Sequence, residues 1–349
     1  MPHETPDPAA ARRFRRATAE DAARDGHRFT WLKPDGWRPG GVSLVLENPD
    51  GPAGRSVIGV GRAVPNAVHP GRDLVEVEVD EAHRRRGHGT ALIHELGTYM
   101  RNPLSTKAEQ DTERHAFLMS LGAYPYQVLP YLVVDLQHPG VGDWCAQIRA
   151  EHAGPEEDRT GDSSPGTRRD QASTAGDGGT AGEASPAVVR PWTAVDREQL
   201  IEAMTDRYAW QHASWSPTAP REVLRQEVGA DFVARTHENG SFVVERGSRI
   251  TAIADLYEAP VPGTRAEAAV EAVDPAAPWA RADTALVLGA LLEHLREQRV
   301  AEVDLDNHPT DPHAAPLLAT LPRIETGTMD LLEIPTGLTG RLRELGLGR

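Results

Sequence analysis

A basic, glycine-containing turn follows one apolar stretch of the chain and could bind a phosphate group. The segment reads Val77-Glu78-Val79-Asp80-Glu81-Ala82-His83-Arg84-Arg85-Arg86-Gly87-His88-Gly89-Thr90. Gly87 and Gly89 would let the backbone approach a ligand closely, and the N–H groups at a helix N-terminus attract anions. The three consecutive arginines add formal positive charge to the same turn. We therefore predict an anion site here, and a diphosphate is the natural ligand.

The spacing of these residues excludes two common phosphate-binding motifs. The dinucleotide fingerprint requires the order GxGxxG and the P-loop requires GxxxxGK followed by Ser or Thr, whereas the order here is Arg-x-x-Gly-x-Gly. The segment resembles instead the acetyl-coenzyme A-binding motif of the GCN5-related N-acetyltransferase (GNAT) superfamily. That motif commonly has a valine at the end of the fourth strand, then at fixed spacing Arg or Gln, Gly, and Gly or Ala. Val79, Arg84, Gly87 and Gly89 occupy those positions.

The resemblance implies both a coenzyme site and a reaction. It places the diphosphate of acetyl-coenzyme A, a co-substrate, on the turn, and the pantetheine arm along the fourth strand where strands four and five splay. The coenzyme-binding residues that it implies are Val77, Glu78, Val79, Arg84, Arg85, Arg86, Gly87, His88, Gly89 and Thr90. The implied reaction is direct transfer of the acetyl group to an amine. Because the amine must lose a proton to attack the thioester, a carboxylate or a water held by one has to act as base.

Two carboxylates of the fourth strand are the candidate catalytic bases. Asp73 stands where the family often has Glu, and Glu76 follows on the same strand. Side chains alternate along a strand, so Asp73 shares one face with the valines and Glu76 shares the other with Glu78. The sequence does not decide which face meets the substrate. We therefore predict Asp73 and Glu76 as the catalytic candidates, with Asp73 placed first.

The general acid that is usual in the family has no counterpart at its expected position. Many relatives carry a Tyr in the late helix to protonate the departing thiolate, and Leu118 stands there in this chain. Tyr124 or Tyr126 could replace it, or solvent could suffice because a thiolate is a tolerable leaving group near neutral pH. Both tyrosines are more simply interpreted as packing residues at the start of a strand.

Composition limits the class of partner. The chain has 349 residues and a formal net charge of −15, which argues against a general nucleic-acid binder because that affinity depends on clustered Lys and Arg. The single cysteine, Cys145, excludes an intramolecular disulfide and a multi-cysteine metal site, and we expect no metal. No apolar run is long enough to span a bilayer, and the first residues lack the pattern of a signal peptide. We predict a cytoplasmic protein with no membrane partner.

Polar and glycine-rich segments divide the chain. We predict a disordered tail over 1–12, a catalytic coenzyme-binding domain over 13–150, a disordered linker over 151–187 and a second domain over 188–349. The predicted fold is a mixed α/β fold, in which each domain has a mostly antiparallel sheet flanked by helices. In the first domain, strands are predicted over 29–32, 42–46, 57–64, 74–79 and 131–136, and helices over 90–100 and 110–121.

The second half of the chain reads as a copy of the first that has lost the anion site. When Thr284-Ala285-Leu286-Val287 is aligned with Thr90-Ala91-Leu92-Ile93, Arg281 replaces the first glycine and Asp283 replaces the second. A carboxylate at that position would repel a diphosphate. This layout is similar to tandem GNAT proteins such as mycothiol synthase. In that enzyme the C-terminal copy is catalytic, whereas the intact motif here lies in the N-terminal copy.

The resemblance favours an N-acetyltransferase that acts on a primary amine of a small molecule. A protein N-terminus or a lysine side chain is an alternative acceptor. A non-catalytic acyl-coenzyme A-binding module that regulates or binds a partner is the alternative from another class, and the missing tyrosine is its one argument from the sequence.

Overall fold

The computed structural model describes residues 13–48, 56–152, 185–306 and 308–335, without the side chains of 323–326. The predicted tail and almost all of the predicted linker lie outside these residues. Contacts divide the chain into two compact units. The first comprises the described residues up to Leu129, Ala213–Pro220 and the residues from Gly327 onward, and the second comprises Pro130–His212 and Arg221–Thr326. Each unit combines segments that are separate in the sequence. The predicted division into domains at 151–187 therefore stays a prediction.

The strands in chain order are β1 Arg13–Arg16, β2 Val42–Glu47, β3 Val57–Pro65, β4 Asp73–Val79, β5 Leu104–Glu109, β6 Tyr124–Asp135, β7 Ala187–Pro191, β8 Phe242–Arg246, β9 Arg249–Leu256, β10 Arg265–Ala272, β11 Glu302–Asp306 and β12 Arg323–Ile334. The α-helices are α1 Ala19–Asp25, α2 His88–Gly97, α3 Glu113–Ser120, α4 Pro139–His152, α5 Arg197–Ala213, α6 Arg221–Leu224, α7 Asp231–Val233, α8 Ala280–Glu297 and α9 Ala314–Leu318. Short 3-10 helices span Glu81–His83, Trp192–Ala194 and Glu238–Gly240, and a π-helix spans Arg225–Ala230.

The sheet of the first unit has the strand order β1-β2-β3-β4-β5-β12. Its neighbours are antiparallel except β4 and β5, which run parallel and pair only at Asp73 with Leu104 and at Leu74 with Ser105. The last of the described strands, β12, completes this sheet by pairing with β5 from Met329 to Ile334. The sheet is therefore mixed and mostly antiparallel, as the sequence predicts.

Helix α2 packs against one face of this sheet through Leu92, Ile93 and Leu96. The approach is close because β3 carries glycine where the helix crosses it. A Cβ atom added at Gly61 would lie 2.8 Å from Cδ1 of Leu96. The opposite face is covered by α1 and the segment after it, which form a second apolar cluster with the sheet. The members of that cluster are Ala17, Phe29, Leu32, Val45, Val57 and Val60.

Most of the predicted elements of the first domain are confirmed, and one strand is wrong. Residues 29–32 form turns and irregular structure, although Phe29 and Leu32 are buried. The predicted helix over 110–121 is shorter, Glu113–Ser120, because β5 and a turn at Asp111 precede it. Strands β1 and β5 and helices α1 and α4 are not predicted from the sequence.

The sheet of the second unit has the strand order β6-β11-β10-β9-β8-β7, with β6 represented by its later residues. Only β10 and β11 are parallel among its described pairs. Helix α8 supplies its main core through Leu288, Leu291, Leu292 and Leu295, and packs with α4 around Cys145. This order of strands and central helix repeats the first unit, so the predicted tandem fold is confirmed.

Candidate coenzyme and acceptor site

The basic turn leads into α2 through a left-handed glycine. Gly87 is the N-cap of the helix, with φ +74°, a conformation that costs glycine nothing. The first hydrogen bond inside the helix runs from the N–H of Ala91 to the carbonyl of Gly87, at 3.1 Å. The N–H groups of Gly89 and Thr90 lie ahead of that bond and have no acceptor inside the helix. The turn therefore has the geometry of an anion site.

Gly89 has a second role, which the sequence analysis did not predict. A Cβ atom added at Gly89 would lie 3.0 Å from Cζ of Phe117 in α3. Such a contact is tighter than ordinary packing, so a side chain here would push α2 and α3 apart. The glycine is thus required by the packing of two helices as well as by the open backbone of the turn.

The three arginines of the turn are exposed. The Nε atom of Arg84 donates to the carbonyl of Val79 at 3.1 Å, which fixes its side chain beside the end of β4. Arg85 lies 3.3 Å from Glu113, the first residue of α3, and Arg84 lies 3.8 Å from the same carboxylate. All three side chains of this group are more than half exposed. An incoming anion could therefore replace the carboxylate at little cost. The sequence analysis missed Glu113.

Strands β4 and β5 diverge after Leu74 and Ser105, and this divergence opens a gap in the sheet. The N–H of Asp73 donates across to the carbonyl of Pro103 at 3.0 Å. Alternate residues of a strand direct their backbone groups to the same side, so Val75 and Val77 direct theirs into the gap. The gap forms a small cavity between the strands and the two helices. Its lining residues are Val75, Val77, Ile93, Thr106, Arg114, Phe117 and Leu118.

Asp73 lies at the closed end of this gap. It is 2% exposed and accepts hydrogen bonds from the N–H of Arg101 at 3.0 Å and the N–H of Asn102 at 2.9 Å. The side-chain amide of Asn102 donates a third, at 3.1 Å. These bonds join the start of β4 to the loop before β5. They satisfy both oxygens of the carboxylate, which explains why it can be buried.

Glu76 lies at the gap itself. Its carboxylate contacts the guanidinium of Arg114 and accepts from the hydroxyl of Thr106 at 3.3 Å. Arg114 also donates to Thr106 at 2.7 Å and to the carbonyl of Lys107 at 3.1 Å. Arg114 thus connects α3 with both diverging strands. The structure brings Glu76, and not Asp73, to the open part of the gap, and the sequence analysis had no signal for Arg114.

Glu78 follows on the same face as Glu76. Its Oε2 atom is buried and has no hydrogen-bond partner among the described residues. His88, the first residue of α2, is half-buried. Neither side chain contacts the gap.

The residues considered as a general acid have clear positions. Leu118 is 2% exposed and belongs to the apolar core. The hydroxyl of Tyr124 contacts the carboxylate of Glu333 in β12. The ring of Tyr126 stacks on that of Trp215, with the ring centres 6.0 Å apart. The guanidinium carbon of Arg72 lies 3.9 Å from the centre of the Tyr126 ring. Burial raises the pKa of Tyr126. Tyr126 therefore packs at the start of β6, whereas Tyr124 is exposed and hydrogen-bonded to β12.

The corresponding helix start in the second unit is closed by an internal ion pair. Asp283, which aligns with Gly89, is fully buried. Its two carboxylate oxygens accept from Arg246 at 2.8 and 2.9 Å, and one also accepts from the hydroxyl of Thr251 at 2.6 Å. These hydrogen bonds raise the pKa of Arg246. A protein carboxylate therefore takes the place that an external anion would need.

A second buried charged group lies in the same unit. Arg207 contacts Asp255 and lies 3.2 Å from Glu271, and His308 lies 3.4 Å from Glu271. Burial raises the pKa of Asp255. Burial also acts to raise the pKa of Glu271, but Arg207 and His308 outweigh it and leave that pKa below its ordinary value. The rings of Tyr208 and His212 in the same region stack on each other, with their centres 3.7 Å apart.

Comparisons with known proteins agree with the geometry. Residues 12–122 match the model of the acetyltransferase (GNAT) family. A GCN5-related N-acetyltransferase from Sphaerobacter thermophilus is similar in structure, with TM-score 0.52 and 12% identity over 94% of this chain and 96% of that one. A tandem GNAT protein from the clavulanic acid biosynthesis pathway has TM-score 0.54 and 15% identity over 93% and 99%. The search of the curated proteins found no match.

The first part of the chain is therefore a GNAT-family domain, and the whole chain has the fold of a tandem GNAT protein. In the part of the chain that the structure describes, no helix is long and apolar enough to cross a membrane. The same residues include no group of three or more His, Cys, Asp or Glu side chains that could hold a metal ion.

Proposed function

We propose that this chain transfers an acetyl group from acetyl-coenzyme A to a primary amine of a small molecule. The observation that carries the proposal is the junction of β4 and α2. There, a basic helix N-terminus with open N–H groups lies at the end of a strand whose backbone faces a gap. The family match supports this reaction, because the matched residues 12–122 contain the whole junction.

The turn would hold the diphosphate of the coenzyme. The N–H groups at the start of α2 donate to its oxygens, and Arg84, Arg85 and Arg86 neutralise its charge. The backbone of Val75 and Val77 would bind the amide groups of the pantetheine arm along the gap. The family resemblance implies the same roles for residues 77–79 and 84–90. The present proposal adds the backbone of Val75 in β4.

Glu76, rather than Asp73, is the proposed base. Glu76 lies at the open part of the gap, whereas the Asp73 carboxylate is occupied by backbone and amide donors. Glu76, directly or through a water, would take the proton that the amine nitrogen gives up as it attacks the thioester carbonyl carbon. The carbon–sulfur bond then breaks, and the coenzyme leaves as a thiolate that takes a proton from solvent.

The test is calorimetric titration of acetyl-coenzyme A into the wild type and into Gly89→Asp, which copies the residue of the second unit. We expect one-site binding to the wild type and none to the variant. Gly71→Asp is the matched control, because Gly71 is exposed and a Cβ atom there meets nothing within 4 Å. Absence of binding to the wild type would leave a shared fold and no shared reaction.

Gly89→Asp also strains the contact with Phe117, so a second variant separates binding from folding. Arg85→Glu reverses a charge on a side chain that is 83% exposed and leaves the helix packing intact. We expect it to weaken coenzyme binding without changing the unfolding midpoint.

One observation favours a non-catalytic acyl-coenzyme A-binding protein as the second candidate. Leu118 is buried in the core, so the position that usually carries the tyrosine offers no hydroxyl for the leaving thiolate. Thiol release that depends on an added amine would decide for the enzyme. Coenzyme binding without release across a broad panel, including peptides with a free N-terminus or lysine, would decide for the binding protein.

A further inference from the structure

A polar row crosses the sheet of the first unit on the face opposite α2. Ser43 of β2 pairs with Arg62 of β3, and Arg62 pairs with Glu76 of β4. Cross-strand partners lie on the same face, with Cα atoms about 4.5 to 5.5 Å apart. The row therefore leads from the proposed base at the gap to a cation one strand away.

Arg62 is held in place by two aromatic rings. Its guanidinium lies 4.6 Å from the ring centre of Trp31 and 4.9 Å from that of Trp37. Both rings belong to the irregular segment between α1 and β2. Cation–π contact with both rings orients the guanidinium, and an arginine held in this way can still donate N–H groups to an anion.

The Arg62 guanidinium has no acidic partner within the described residues. Its cross-strand neighbour Glu76 contacts Arg114 and Thr106 instead. Burial of Arg62 lowers its pKa, Glu76 opposes that effect from a distance, and Arg38 adds to it. A half-buried arginine without a hydrogen-bonded anion is costly for the protein alone.

Two further polar atoms beside Arg62 lack partners among the described residues. The hydroxyl of Ser43 is buried, in a residue that is 1% exposed, and accepts or donates no hydrogen bond. The indole Nε1 of Trp37 is also buried without an acceptor. Buried polar groups are nearly always satisfied inside a protein. Among the described residues, two buried atoms without partners thus adjoin a guanidinium without an acidic partner, and together they indicate a place where a ligand completes the hydrogen bonding.

We propose that Arg62 binds a carboxylate of the acceptor, so that the acceptor is a compact aminocarboxylate with its amine at Glu76 and its carboxylate between Trp31 and Trp37. The two ends of such a molecule span about one strand spacing, or about 5 Å. Arg62 is then a residue that determines specificity and takes no part in the bond changes. The inference rests on the proposed function, because it assigns the acceptor of the same reaction.

The test compares acceptors that differ only in the carboxylate. The pairs are glycine and glycinamide, β-alanine and β-alaninamide, 4-aminobutyrate and its amide, and phenylalanine and phenylalaninamide. Amine-dependent thiol release gives kcat/KM for each. Quenching of tryptophan fluorescence gives binding without turnover, since Trp31 and Trp37 line the site. We expect at least one acid to exceed its amide by about tenfold or more, as for a charge-assisted hydrogen bond.

Arg62→Gln should abolish that preference while leaving coenzyme binding, measured by calorimetry, unchanged. Arg38→Gln is the matched control, because Arg38 also stacks on Trp37, at 4.9 Å, but is exposed. It should keep the preference. Ser43→Ala removes a hydroxyl that makes no internal hydrogen bond, so it should weaken acid binding without lowering the unfolding midpoint.

The outcomes separate the two proposals. If the wild type does not bind acetyl-coenzyme A, the proposed function itself is wrong. If coenzyme binds, the inference is overturned when acids and amides bind and react equally, when no acid of the panel binds, or when Arg62→Gln keeps the preference. A folded Arg62→Gln protein that binds coenzyme and no longer distinguishes acid from amide would support it.

Discussion

The carboxylate of Asp283 and the guanidinium of Arg246 form a two-point ion pair at the start of α8, with distances of 2.8 and 2.9 Å. The equivalent helix start in the first unit has Gly89 and open N–H groups. In the second unit, a buried carboxylate neutralised by Arg246 therefore occupies the position at which the first unit has an open glycine.

Asp283→Asn should destabilise the protein by about 3 kcal/mol, because it removes the buried half of the ion pair and leaves the half-buried Arg246 without its counter-charge. Urea unfolding monitored by circular dichroism measures the change. The matched control is Asp274→Asn, which removes an ion pair with Arg249 at 3.5 Å between exposed side chains. The control should cost under about 1 kcal/mol. Equal effects of the two variants would contradict the structural role of Asp283.

Asp283→Gly should not create a second coenzyme site. Arg281 stands where the first unit has the left-handed Gly87, and the turn before α8 lacks the three arginines. Calorimetric titration should show a single site in this variant, as in the wild type. A second site would mean that Asp283 alone blocks the binding of coenzyme.

Glu76→Gln should lower kcat/KM for amine acetylation by about 100-fold or more, the usual contribution of a general base. The affinity for acetyl-coenzyme A should not change, because the proposed contacts with the pantetheine arm are made by the backbone of Val75 and Val77 and not by the Glu76 side chain. Glu78→Gln is the control and should react nearly as the wild type does, because it keeps the backbone of β4 and changes a side chain whose Oε2 atom has no partner among the described residues. A fully active Glu76→Gln protein would assign the base elsewhere.

Asp73→Ala should cost stability and not chemistry. The variant leaves the N–H groups of Arg101 and Asn102 without an acceptor, and each buried unsatisfied donor costs about 1 to 3 kcal/mol. Chemical unfolding measures the loss, and thiol release per folded molecule should stay close to wild type. A stable variant with no activity would restore Asp73 as the base.

The stability of the protein should fall as pH drops below about 6.5, the ordinary pKa of histidine. Burial lowers the pKa of His294 in α8, whose Nε2 atom has no partner among the described residues. Because the unfolded chain then takes up a proton before the folded chain does, acid favours unfolding. Unfolding free energies at pH 5, 6 and 7 would measure the slope.

His294→Leu should reduce this slope, whereas His27→Leu, at an exposed position, should not change it. Some slope should remain, since burial also lowers the pKa of His69 in the first unit. An unchanged slope in the His294 variant would show that its ring is protonated without cost in the folded state.

The sequence predicted the fold class and most strands because apolar runs such as Val42–Glu47 and Val57–Pro65 are continuous and buried. It failed where burial and pattern disagree. β1 is a charged strand, Arg13–Arg16, held by ion pairs such as that of Arg15 with Asp21, so it has no apolar pattern. Residues 29–32 have a strand-like pattern, but they cover a sheet face without joining it.

For the site, local spacing predicted the glycine-containing turn and the helix that follows it, since both depend on adjacent residues. The order of the two candidate bases could not be predicted in the same way. It depends on the Asn102 loop around Asp73 and on Arg114 beside Glu76, which are contacts between residues 28 to 38 positions apart. The same holds for Glu113, which reaches the arginines of the turn from another helix.

The position of β12 has a consequence for the order of folding. The sheet of the first unit is complete only when residues 329–334 have paired with β5, and the chain between these two strands contributes most of the second unit. Closing so long a loop costs entropy before the pairing contributes stability, so this step should be slow. A variant truncated before residue 329 would keep the whole basic turn and helix α2 but would leave the edge of β5 without this partner strand.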